Sequence, residues 1–231
     1  MTGYRPAMPD RSVPLTGAPG KAILAVVDKA IETRWDDARE IARKTPGRTI
    51  DEKVDAITES YVRQLTLIGA AAGGTAAAPG VGTLAALGAI GAEIAAFAFK
   101  ATEMIVTIGA AYGHTEATPE QLRSWVLSVL AYGDNAAAGF AETAGMLGAG
   151  ATLEIVNGAS ASWFHTVNRY LGRKVLTRFG ARKGASTLTK LLPFGIGAVL
   201  GAATNLATAK LIARNADRFF KQLPAALHAL P

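Results

Sequence analysis

Hydrophobic positions along the chain recur at steps of three and four, the period of a helix face, and no stretch alternates with the two-residue period of a half-buried strand. Ile23, Val26, Val27, Ile31, Trp35 and Ile41 predict a first helix over residues 21–44, which Pro46-Gly47 ends. Thr49 and Glu52 have the spacing of a capping box, ahead of the stripe Val54, Ile57, Tyr61, Leu65 and Ile68. Thr118-Pro119-Glu120-Gln121 marks another start, with Thr as cap, Pro at the first position and Gln completing the box. Leu122, Trp125, Val126, Val129 and Leu130 give that helix its buried face. A Gly/Ala-rich stretch over 136–150 fits a broken helix. Trp163, Phe164, Val167, Tyr170, Leu171, Val175 and Phe179 predict a long helix over 160–179. A last helix runs through Leu211, Ile212, Phe219 and Phe220, and Pro224 ends it.

Two apolar runs interrupt this amphipathic pattern. From Gln64 to Ala92 no side chain is ionisable, where about 20 apolar residues would cross a bilayer. Gly73-Gly74 and Pro79-Gly80-Val81-Gly82 break the run, since Pro lacks an amide hydrogen and Gly tolerates tight reversals. The expected form is a helix to about Ala78, a hinge at Pro79, Gly80 and Gly82, and a second helix from about Thr83 to Tyr112, stopped by Gly113. A second uncharged run, from Leu191 to Ala209, opens with hinge residues Pro193, Gly195 and Gly197. The spacings Gly69-x-x-x-Gly73 and Gly197-x-x-x-Gly201 allow close helix approach, in membranes and in Ala-rich soluble bundles alike. The fold expected is all-α, a helical bundle with two apolar Gly/Ala-rich helical hairpins. Residues 1–18, rich in proline and without the apolar core of a signal peptide, read as a mobile arm. Residues 19–222 read as one domain and 223–231 as a tail, with the cytoplasm as the default compartment.

Composition narrows the classes. Half of the 231 residues are hydrophobic and 18% are charged, which excludes a disordered chain. The absence of cysteine excludes disulfides, thiolate metal sites and a cysteine nucleophile. The formal charge of +6 is unevenly placed: residues 1–60 balance, residues 61–150 carry a net negative charge, and the excess of cations falls after residue 150. Arg169, Arg173, Lys174, Arg178, Arg182, Lys183 and Lys190 precede the second apolar run, and Lys210, Arg214, Arg218 and Lys221 follow it. Such a field attracts phosphate-bearing partners, and its place beside an apolar run favours anionic lipid. Trp163, Tyr170 and Phe179, on the same helix, have the chemistry of head-group anchors.

Few residues carry candidate chemistry. Glu93 interrupts an apolar helix, where an unpaired charge is costly. Lys100 lies on the same face and Glu103 one short turn beyond, so a Glu93–Lys100–Glu103 ladder is expected, either fixing the packing or forming a polar site in an apolar bundle. Asn205, alone in its apolar run, is expected either to play the matching part in the second hairpin or to hydrogen-bond a neighbouring helix. His114 follows Gly113 at a helix end, where a cation suits the dipole. His165 reads as a helix-face residue, and His228 stands in the tail. Gly80-Val81-Gly82-Thr83-Leu84-Ala85 formally fits a dinucleotide fingerprint, but nothing strand-like precedes it. No lipase-type serine motif or H-E-x-x-H arrangement occurs, and no catalytic residue, metal or cofactor is assigned.

Pro79-Gly80-Val81-Gly82, Gly91-Ala92-Glu93-Ile94, Ile105, Ile108 and Ala111-Tyr112-Gly113 resemble the central block of the bacterial EcsC protein family. The run from Leu192 to Gly201, Asn205 and Ala216-Asp217-Arg218-Phe219-Phe220 are similar to its C-terminal block. Glu93 stands where that family's pattern would carry aspartate. The resemblance implies a helical protein at the cytoplasmic face of a membrane, named for an operon encoding an ABC transporter. It brings no catalytic residues. The expected function is therefore a non-enzymatic, membrane-associated protein, peripheral or hairpin-inserted, whose partners are anionic lipid or a membrane protein such as an ABC transporter. A soluble module binding acidic partners or nucleic acid ranks second, because no nucleic-acid module is recognisable. A hydrolase using Glu93, Glu103 and His114 ranks third.

Overall fold

A computed structural model describes residues 18–70, 92–147, 159–180 and 201–223. The described residues form seven α-helices and no strand: α1 (Ala18–Lys44), α2 (Ile50–Ala70), α3 (Ala92–Ala111), α4 (Pro119–Tyr132), α5 (Ala136–Met146), α6 (Ala161–Gly180) and α7 (Gly201–Gln222). The chain is an all-α bundle. The hinge positions Pro79, Gly80, Gly82, Pro193, Gly195 and Gly197 lie outside the described residues, as do the end of the tail and all but the last residue of the arm over 1–18, Ala18, which opens α1. Among the described residues no helix is long and apolar enough to cross a membrane.

Local chemistry sets the helix ends. At α4 the Thr118 side chain accepts from the Gln121 amide at 3.3 Å, and Gln121 Oε1 accepts from the Thr118 amide at 2.8 Å. At α2, Thr49 Oγ1 accepts from the Glu52 amide at 3.1 Å, but the Glu52 carboxylate reaches back to the Arg48 amide, at 2.6 Å, one residue beyond the expected box. The end of α3 is a Schellman motif: the Gly113 amide donates to Ala110 O and the His114 amide to Gly109 O. Its pivot, Gly113, has a φ of 91°, open to glycine and costly for other residues. The Gly/Ala-rich stretch, expected to be a broken helix, is regular helix over Ala136–Met146, and a 3-10 turn over Gly133–Asn135 precedes it.

Packing centres on α3. Every residue from Ala101 to Ala110 is buried, because α1, α2 and α7 pack against this helix and α4 touches it as well. A helix so largely apolar requires such enclosure, and its alanines let the neighbours approach. A second centre is α4, packed against α6, α5 and α1. The apolar stripes read from the sequence converge in one continuous core. It joins Val26, Val27 and Ile31 of α1, Ile57 and Leu65 of α2, Phe97, Met104 and Ile105 of α3, Leu122 and Trp125 of α4, Phe164 and Leu171 of α6, and Phe219 and Phe220 of α7.

Candidate functional site

Glu103 projects from α3 into this core and is 5% exposed. Lys100, one turn earlier, donates to Glu103 Oε2 at 2.6 Å. From α2 the Tyr61 hydroxyl donates to Glu103 Oε1 at 3.1 Å and lies 3.0 Å from Thr107 Oγ1. The Lys100 ammonium also sits 5.7 Å from the centre of the Tyr61 ring. Burial, reinforced by the Glu103 charge, holds the Tyr61 hydroxyl well above the ordinary tyrosine range, so it stays a proton donor. A carboxylate held on one oxygen by an ammonium and on the other by a phenol is fixed in place, the arrangement of a packing ion pair. The Lys100–Glu103 half of the expected ladder is therefore present. Glu93 lies in the first turn of α3, and its side chain is outside the described residues. Asn205 is buried on α7. Tyr61 and Thr107 escape a reading by periodicity, because Tyr61 fits the apolar stripe of α2; its hydroxyl, which needs a partner when buried, was the available clue.

His114 departs from expectation. It is 4% exposed, with its ring centre 5.0 Å from that of Trp125 and 5.5 Å from that of Phe220. Burial pushes its pKa below the usual histidine range, and a hydrogen bond with the Leu223 backbone opposes that only in part. A cation serving the helix end is thus replaced by a neutral ring in an aromatic box, since the Schellman bonds already occupy the Gly109 and Ala110 carbonyls. His165 is exposed on α6, as its helix-face reading requires.

The cations divide into two groups. On α1, Lys29, Arg34, Arg39 and Arg43 each pair with a carboxylate three residues away, and Lys44 shares Glu40 with Arg43. The Glu40 carboxyl is held down at about 2 by its bonds to Arg43 and Lys44. Arg123 of α4 pairs with Asp28 of α1 at 2.8 Å. On α6 and α7 the arrangement differs. Arg169 and Arg173 stand one turn apart on exposed α6, and Lys210, Arg214 and Arg218 on exposed α7, opposite its buried face; none has an ion pair among the described residues. Lys221 is the exception, bridging Asp51 at 3.0 Å and Asp217 at 3.1 Å.

Lys174 differs from its neighbours on α6. Its ammonium lies 4.0 Å from the centre of the Tyr132 ring, so it fastens α6 to the end of α4 rather than standing free with Arg169 and Arg173. Trp163 and Tyr170 are half-buried and packed against the core, Trp163 edge-on to Phe164 at 5.0 Å. Burial of the α6 stripe decides this: the aromatics share its inner edge and the arginines its outer one. The side chain of Arg178, and all of Arg182, Lys183 and Lys190, lie outside the described residues.

An open cleft of about 460 Å³ lies between the end of α1, the first turn of α2 and the end of α3. Its charged walls are largely neutralised within the chain, Arg39 by Asp36 and Arg43 by Glu40. Comparison with protein-family models, with curated proteins and with solved structures finds no match for this chain.

Proposed function

We propose that this is a non-enzymatic helical protein that docks on the anionic cytoplasmic face of a membrane through the outer faces of α6 and α7. The observation that carries the reading is the division of the cations: Lys29, Arg34, Arg39, Arg43 and Lys44, five of the six on α1, are neutralised within the chain, whereas Arg169, Arg173, Lys210, Arg214 and Arg218 are exposed without ion pairs among the described residues. Unneutralised charge on neighbouring turns is what an anionic surface engages. From Lys210 to Arg218 the three cations of α7 span about 12 Å at 1.5 Å per residue. Each cation near an anionic leaflet is worth about 1 kcal/mol, so this row alone raises partitioning by about two orders of magnitude. The apolar run over 191–209 adjoins Lys210 in the sequence, and the resemblance to the EcsC family points to a transporter or other membrane protein as the neighbour served there.

Flotation of the full chain with vesicles of phosphatidylcholine, with and without about a third phosphatidylserine, tests this. Binding is expected only to the anionic vesicles and is expected to weaken as salt shortens the screening length. Lys210→Glu/Arg214→Glu/Arg218→Glu should reduce it at least a hundredfold. Equal recovery with both vesicles, or undiminished binding by the triple variant, overturns the proposal. Preference for duplex DNA over the anionic vesicles would assign the cations to nucleic acid instead.

A further inference from the structure

The second residue beyond the end of a Schellman-capped helix ordinarily carries a hydrophobic side chain that folds back on the last turn. Here that position is His114, whose amide closes the motif on Gly109 O at 3.2 Å. Its ring enters a box built from three helices. Trp125 of α4 lies on one side and Phe220 of α7 on another; Phe220 in turn packs on the bare face of Gly109 in α3, where an added Cβ would come within 2.7 Å of the ring. Nε2 is buried without a hydrogen-bond partner among the described residues, and the Phe220 ring beside it belongs to the last turn of α7. One uncharged imidazole therefore ties the turn after α3 to the last turn of α7.

We infer that His114 is an acid-sensitive latch, whose protonation releases the last turn of α7 from the junction of α3 and α4. A charged imidazole would hold a second N–H in the position of Nε2, where no described residue accepts it, and would lack water to solvate it. Charged groups on the surrounding elements do not offset this. Asp217 is engaged by Tyr112 at 2.6 Å and by Lys221 at 3.1 Å, and Lys221 also holds Asp51. Arg39 of α1 approaches Glu116, in the loop after His114, at 4.0 Å and donates to the Thr115 carbonyl. Burial and the Leu223 bond alone move the ring's titration. The direction follows: with the folded pKa below the unfolded value of about 6.5, the open state binds more protons, and closure weakens as pH falls through the interval between them. The opening is local because Gly109 and Phe220 lie near the ends of α3 and α7.

Hydrogen exchange of the full chain at pH 7.5, 6.5, 5.5 and 4.5, corrected for the intrinsic pH dependence, reads the latch. Protection of the amides of Phe219 to Leu223 should fall by up to tenfold per pH unit below about 6.5, while amides of Met104 to Ile108 keep theirs. His114→Phe, which fills the box with an uncharged ring, should abolish the pH dependence; His114→Leu is the second variant should Phe prove too large. Asp217→Asn should lower protection at every pH and leave the slope intact. PH-independent protection in the wild type, an unchanged slope in both histidine variants, or loss of the slope in Asp217→Asn alone overturns the inference.

Discussion

Replacing the partners of the Lys100–Glu103 pair one at a time, and then together, measures what a buried charge costs when stranded. Glu103 has a side chain 6% exposed and Lys100 one 20% exposed, at 2.6 Å, so both charges are largely removed from water. Glu103→Leu leaves the Lys100 ammonium against the Tyr61 ring and the Tyr61 hydroxyl beside Thr107 alone. Breaking a buried pair from one side costs about 3–5 kcal/mol, and partial exposure of Lys100 places this variant near about 3 kcal/mol. Lys100→Met strands the carboxylate with only the Tyr61 hydroxyl on it and should cost about as much or more. The double variant removes both charges, keeps the volume, and should cost no more than about 1–2 kcal/mol, mostly for the Tyr61 hydroxyl left without its carboxylate. The singles thus overshoot the double by about 4 kcal/mol, a coupling far above that of an exposed pair. Urea unfolding followed by circular dichroism, with slopes compared to confirm an unchanged transition, gives the cycle. Single variants that each cost less than about 1 kcal/mol and add without coupling would refute the placement of this pair in the core.

Two glycines should respond to alanine with opposite sign. In a helix interior alanine is favoured over glycine by about 1 kcal/mol, and Gly172→Ala should realise this, since its new Cβ meets only Leu24 Cδ1, at 3.5 Å. Gly109→Ala should instead lower the melting temperature by about 2–4 °C, a net loss of about 1 kcal/mol, because the Phe220 ring it strikes is held by Trp125, Phe219 and His114 and cannot move aside. Thr118→Ala removes the cap of α4 and should cost about 1 kcal/mol by urea unfolding, with Thr118→Ser restoring most of it.

Helices and their ends were largely legible because their causes are local. The stripe from Val54 to Ile68 and the Thr118 box each depend on residues within one or two turns, and both stand where their spacing places them. The site was less legible. Lys100 and Glu103 share a helix, so their pairing followed from spacing, but the phenol that completes the cluster comes from a residue 42 positions away. Lys174 looked like any cation in a basic run until Tyr132 proved to lie beneath it. Trp163 and Tyr170 have an amphipathic chemistry that suits a core edge and a lipid surface equally, and only burial distinguishes the two.

The sequence by itself determined the all-α class, the capped helices, the apolar stripes and the concentration of cations after residue 150, because periodicity, hydrogen-bond capping and charge count are properties of neighbouring residues. Tertiary structure alone decided which charges are used up internally, as Asp28 is by Arg123, and which remain on the outside of α6 and α7. It also decided that His114, at a helix end suited to a cation, is a neutral ring enclosed by Trp125 and Phe220. Desolvation depends on everything that surrounds a group, and what surrounds a residue is assembled from segments far apart along the chain.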